Sequence, residues 1–172
     1  GGVCVDGLAA QGPNSIRGEW GHHQLYPASD RICYCGQRGC VETYLSGPAL
    51  ARRYIRRLEE QGCPVPDEPV TGERVVGRAR EGDALAQQIV TEGGEALGVA
   101  IASVAMLLDI ELYVVGGSVS KSGDLLLGPA RDIVPRYSHA SVGSRVRIVV
   151  TGLGEDGPIL GCGWLARQAL IS

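Results

Sequence analysis

The residues best able to do chemistry lie close together. Cys33-Tyr34-Cys35-Gly36-Gln37-Arg38-Gly39-Cys40 sets three thiols in a C-x-C-x4-C pattern, and His22 and His23 stand eleven and ten residues before Cys33. Zinc takes four tetrahedral nitrogen and sulfur ligands, and structural sites commonly use three Cys and one His. Gly36 and Gly39 would let the backbone turn so that nearby sulfurs converge on one ion. A metal would also order residues 23–40, which show no helical or strand period, and its binding would contribute folding free energy directly. Spacing alone leaves either histidine as the fourth ligand. Disulfides and unliganded thiols are the competing readings. Adjacent C-x-C pairs rarely bridge, and no basic segment followed by an apolar run marks secretion. A zinc ribbon needs a second Cys pair, whereas Cys63 and Cys162 are isolated. With Cys4, these two read as ordinary small apolar residues.

Other groups are weaker on their own. Glu19 and Glu42 flank the cluster, and as isolated residues they read as surface carboxylates. Gly116-Gly117-Ser118 comes after an apolar run and is first a strand-to-loop turn, although ligands of α/β sheets bind at such strand ends. Arg52, Arg53, Arg56 and Arg57, with Glu59 and Glu60 just beyond them, read as a solvated helix face.

The elements that must carry these residues can be read from punctuation and period. Residues 2–5 form a short strand closed by the Asp6-Gly7 turn signal. Ser46 caps a helix that ends before Gly62. Thr71 caps a short helix to about residue 81. Asp83 caps a long one over residues 84–108, where Gly93-Gly94 predict a kink or a close helix contact. Its second half, residues 96–108, is almost wholly apolar and is expected to be buried on most sides. Strands over 110–115 and 145–150 alternate with helices over 124–137 and 158–170. That α-β-α-β-α order predicts an α/β fold with a parallel or mixed sheet.

Composition narrows the function classes. The chain has 172 residues, 20% of them charged, and a formal net charge of −3, so bulk attraction to nucleic acid or an anionic membrane is not expected. No run of eighteen uninterrupted apolar residues predicts a membrane span. Glycine, at 26 residues, is about twice as frequent as usual and has no collagen-like period. The chain opens Gly1-Gly2-Val3 and its only methionine is Met106, which reads as a piece of something longer.

Taken in order, Gly18-Glu19-Trp20-Gly21-His22, Cys33-x-Cys35-Gly36-x-x-Gly39-Cys40-Val41-Glu42 and Tyr44-x-Ser46-Gly47 resemble the ROK family of bacterial sugar kinases and sugar-responsive repressors. The resemblance covers most of the chain. It implies the actin-like (ribonuclease H-like) sugar kinase fold, with this chain as the C-terminal lobe. Residues 1–61 would carry the zinc-stapled loop and sugar site. Residues 62–172 would form the nucleotide side, with a terminal helix near 158–170, and the N-terminal lobe would lie outside the chain.

The resemblance further implies zinc on His22, Cys33, Cys35 and Cys40, and sugar contacts from Glu19, His22 and Glu42. Gly116 and Gly117 would approach the nucleotide. The G-E-x-G-H register selects His22, whereas a spacing one residue shorter would select His23. ATP and Mg²⁺ are the implied cofactors beside structural Zn²⁺, and a homo-oligomer is the implied assembly. The aspartate that serves as catalytic base is expected upstream, so no catalytic residue is assigned here and the fragment alone is expected to be inactive. Trp20 and the Cys-Tyr-Cys string look most like the fructokinase branch, which puts fructose first, then glucose or N-acetylglucosamine. The alternatives are the effector lobe of a sugar-sensing repressor, and a non-catalytic zinc-stabilised interaction module. No nucleic acid is expected to bind through this chain, and a reducing cytoplasm is the expected compartment.

Overall fold

The computed structural model describes residues 1–171. A two-residue hairpin opens the chain, with β1 (Cys4–Val5) antiparallel to β2 (Leu8–Ala9). Asp6 and Gly7 both have positive φ, as a tight hairpin turn requires. The sequence signalled this turn but not β2, which is too short to show a period.

Helices make up most of the remaining chain. A one-turn helix α1 (Glu42–Leu45) leads into α2 (Gly47–Glu60), and Ser46 Oγ accepts from the Ala49 amide at 3.3 Å as the N-cap. Thr71 caps α3 (Gly72–Arg80) in the same way. Asp83 caps α4 (Ala84–Leu108): its Oδ1 accepts from the Ala86 amide at 2.9 Å. Its Oδ2 accepts from the Tyr54 hydroxyl at 2.5 Å, which ties the start of α4 to α2. These caps satisfy amides that the first helical turn leaves unpaired.

The later elements are β3 (Leu112–Val115), α5 (Asp124–Tyr137), the short α6 (Ala140–Gly143), β4 (Arg147–Val150) and α7 (Gly157–Ile171). β3 and β4 pair in parallel, with Leu112 opposite Arg147 and Val115 opposite Val150. The predicted alternation therefore yields a parallel pair within a mixed α/β fold. Tyr113 and Ile148 turn into the core, while Leu112, Val114 and Val149 lie on the exposed face.

α4 is the central core element. Ile89, Val90, Leu97, Ile101 and Ala105 pack with Leu50, Tyr54, Val75, Leu126, Leu127 and Val134. The glycine signal resolves as a close contact and not as a break, since α4 is continuous. A Cβ on Gly94 would fall 2.2 Å from the Leu126 carbonyl oxygen, so glycine lets α5 sit directly on α4. α4 is long and apolar enough to cross a membrane by length and composition, yet most of it is buried inside this fold. Its last turn departs from the expected burial: Met106, Leu107 and Leu108 are exposed. The basic stripe on α2 also departs from expectation at one position. Arg53 is buried, whereas Arg52, Arg56 and Arg57 reach solvent.

Candidate functional site

The loop before α1 is built around its glycines. Gly39, at φ +66°, accepts from the amides of Leu25 and Tyr26 and donates to the Arg31 carbonyl at 2.8 Å. Isolated bridges pair Gln24 with Cys40 and Ile32 with Arg38. Tyr44 anchors the loop from below: its hydroxyl donates to Ser29 Oγ at 3.0 Å, and the Arg31 guanidinium lies 4.0 Å over its ring. Arg53 fixes the floor. It donates to the Tyr44 and Ile89 carbonyls and pairs with Glu92 of α4.

This folding brings His22, Cys33, Cys35 and Cys40 together, one ligand atom from each lying within 4.8 Å of all the others. Cys33 and Cys40 are buried and Cys35 is exposed. His22 ends a single 3-10 turn, Trp20–His22, which sets its ring toward the thiols. His23 is exposed and stands outside the cluster, so the geometry selects His22. None of the six cysteines is in a disulfide.

The donor types suit a tetrahedral zinc ion, and two of the six ligand-atom pairs already stand at its separations. Zn–S bonds of about 2.3 Å put two sulfurs about 3.8 Å apart, and a sulfur and a nitrogen about 3.6 Å apart. Cys35 Sγ lies 3.7 Å from Cys40 Sγ, and Cys33 Sγ lies 3.5 Å from His22 Nδ1. Proton chemistry agrees. The Gln37 amide pulls the Cys35 thiol down to about 7, whereas burial and the neighbouring sulfurs push Cys40 up to about 12. Three clustered thiols do not readily lose all their protons together without a cation, and a divalent metal would supply that charge. Its role would be structural, as a staple for the loop and for the His22 ring.

Nδ1 of His22 faces the sulfurs, so Nε2 faces outward. There it lies 2.7 Å from the Tyr34 hydroxyl and 3.5 Å from Glu42 Oε2. Glu42 opens α1, two residues past Cys40. Glu19 precedes the 3-10 turn, and its carbonyl accepts from the His22 amide at 3.1 Å. Its side chain is exposed and reaches toward the first residue, 3.8 Å from the Gly1 nitrogen. The Tyr34 phenol is raised above its ordinary pKa, first by desolvation and then by the charges of Glu42, Cys33, Glu19 and Cys35. Glu42 therefore shares a surface with His22 Nε2, whereas the Glu19 side chain is placed by its contact with the first residue. A carboxylate beside an imidazole nitrogen can hold neighbouring hydroxyls of a polyol through charge-assisted bonds. Sequence reasoning does not mark Tyr34 as a contact of this surface. Its place inside the C-x-C string is the one signal that could have done so.

Gly116 and Gly117 lie elsewhere, at the C-terminal end of β3. The Thr151 amide donates to the Val115 carbonyl at 2.9 Å, so the loops after both parallel strands lie side by side. Gly117 has φ +75°, and Ser120 Oγ donates to its carbonyl at 2.7 Å. This is the strand end at which α/β sheets bind ligands.

A family model for the ROK family matches residues 1–169, and the chain belongs to that family. A glucokinase of Halalkalibacterium halodurans is 34% identical over 98% of this chain and 53% of its own length. The DNA-binding transcriptional repressor Mlc of Escherichia coli is 27% identical over 99% of this chain and 42% of its own. A ROK family glucokinase from Streptomyces griseus, solved with glucose and AMPPNP, superposes with a TM-score of 0.80 at 27% identity, covering 97% of this chain and 56% of that one. The chain thus spans about half the length of these kinase relatives.

Proposed function

We propose that the chain is the C-terminal, zinc-stapled lobe of an ATP-dependent hexose kinase. The observation that carries this reading is the two-sided placement of His22, with Nδ1 in the thiol cluster and Nε2 beside Glu42. His22, Cys33, Cys35 and Cys40 hold Zn²⁺. Glu19, Glu42 and His22 Nε2 bind and orient the sugar hydroxyls, while the ion keeps the imidazole from turning. Gly116 and Gly117 form the part of the nucleotide site on this lobe, where bound ATP with Mg²⁺ supplies the transferable phosphoryl group. Proton removal from the sugar is assigned to the other half of the protein, so this lobe contributes positioning and electrostatics. The fructose preference drawn from Trp20 and the Cys-Tyr-Cys string finds no support among these relatives. Relatives at 34% and 30% identity are glucokinases, so glucose is the first sugar to test.

The test is hexose-dependent ATP turnover by the full-length protein, with glucose, fructose and N-acetylglucosamine in parallel. Glu19→Ala and Glu42→Gln are expected to raise the KM for sugar more than the KM for ATP. Failure of every hexose to support turnover would end the kinase reading. The second reading is a sugar-sensing repressor with the same lobe, favoured by the likeness to Mlc and to a solved ROK transcriptional regulator homologous to it (TM-score 0.75, 28% identity). It predicts sugar-dependent DNA binding by the whole protein without ATP turnover.

A further inference from the structure

We propose that Tyr34 is a built-in occupant of the sugar site, which a substrate hydroxyl must displace from His22. The inference rests on the hexose reading. His22 has one ring N–H to offer outward. Its Nδ1 faces the cluster, 3.5 Å from Cys33 Sγ, and a metal held there would leave the ring proton on Nε2. At 2.7 Å the Tyr34 oxygen takes that proton in a well-formed bond, while Glu42 Oε2 at 3.5 Å is beyond good hydrogen-bond length. A sugar hydroxyl seeking His22 therefore meets a position already filled by a phenol hydroxyl of similar polarity.

The phenol is also easy to move. Tyr34 is 81% exposed. Its ring stands edge-on to the imidazole, with centroids 4.9 Å apart and planes at 90°. One hydrogen bond and one ring contact, both to His22, are the interactions that define its position among the described residues. Its backbone lies between two cluster cysteines, so the side chain can swing about χ1 without disturbing the loop. Sugars with a hydroxyl placed to replace the phenol recover the lost bond, whereas sugars without one do not. Tyr34 is in this sense a specificity-determining residue.

The test compares wild type with Tyr34→Phe in the full-length protein, using glucose and its monodeoxy analogues. Removing the phenol oxygen should lower the KM for glucose by about fivefold, the worth of one net hydrogen bond. Zinc content and the KM for ATP should not change. The gain should vanish for the one analogue that lacks the hydroxyl reaching His22. A purely structural tyrosine would not produce that dependence on the analogue. An unchanged or higher KM for glucose in Tyr34→Phe, with wild type active, overturns this inference alone. Wild type that turns over no hexose overturns the kinase reading and this inference with it. If Tyr34→Phe loses zinc, 3-fluorotyrosine at position 34 replaces it as the probe. Its fluorine resonance must shift on adding glucose, and a resonance that stays put overturns the proposal.

Discussion

Replacing Gly39 by alanine should disable the metal loop, whereas the same change at Gly36 should only weaken it. Both residues have positive φ, +66° and +87°, so an alanine at either incurs the left-handed penalty of about 1–2 kcal/mol. They differ in what the new methyl meets. At Gly36 there is nothing within 4 Å, while at Gly39 the Cβ would lie 1.9 Å from the Tyr26 carbonyl oxygen and 2.6 Å from its carbon. That peptide would have to retreat by about 1 Å or more, because packed interiors do not absorb such an overlap. Three main-chain hydrogen bonds converge on Gly39, from Leu25, from Tyr26 and to Arg31, and the shift strains all of them. With two or three of these bonds lost at about 1 kcal/mol each, and the left-handed penalty added, Gly39→Ala totals about 3–5 kcal/mol.

Because loop ordering and metal binding are one equilibrium, these energies appear in zinc affinity. Chelator competition should show a loss of about five- to thirtyfold for Gly36→Ala, and of about a hundredfold to several thousandfold for Gly39→Ala. Equal affinities for the two variants would refute the steric argument and the loop geometry behind it.

His22→Ala should abolish tight zinc binding and His23→Ala should leave it intact, as measured by zinc content after dialysis. Zinc affinity should rise with pH. Cys35 sheds its proton near 7 and Cys40 keeps its proton through the neutral range, so binding expels about one more proton below pH 7 than above it, and log affinity should fall more steeply there. Arg53→Met should cost about 2–3 kcal/mol in denaturant unfolding, because two carbonyl contacts and the Glu92 pair are lost. The exposed Arg52→Met should stay within about 0.5 kcal/mol. Gly94→Ala should destabilise by about 2 kcal/mol or more through the Leu126 carbonyl, whereas Gly77→Ala in α3, with open space around its Cβ, should stabilise by up to about 1 kcal/mol.

Local chemistry carried much of the fold into the sequence. Ser46, Thr71 and Asp83 are recognisable caps because their side chains act on amides within three residues, and the expected bounds of α4 and α5 match the structure. That His22 and the three cysteines come together was legible for a related reason: three thiols within eight residues leave the chain few ways to fold. What depends on distant partners was not legible. Arg53 looked like one of four solvated arginines, and its burial depends on Glu92, thirty-nine residues away. α1 is a single turn whose place is fixed by the loop before it, and β2 is two residues long, so neither shows a period. Nothing local marks the end of α4 as exposed, since hydrophobicity does not say which side of the chain meets solvent. The Tyr34 contact likewise arises only when the loop closes on His22.

The central claim is that one ion holds His22 by its inner nitrogen together with three thiolates. Zinc K-edge X-ray absorption on the purified protein tests it most directly. The structure predicts a shell of three sulfurs near about 2.3 Å and one nitrogen near about 2.0 Å, with about one zinc per chain. A protein that takes up no zinc, or a shell dominated by oxygen and nitrogen, would contradict it.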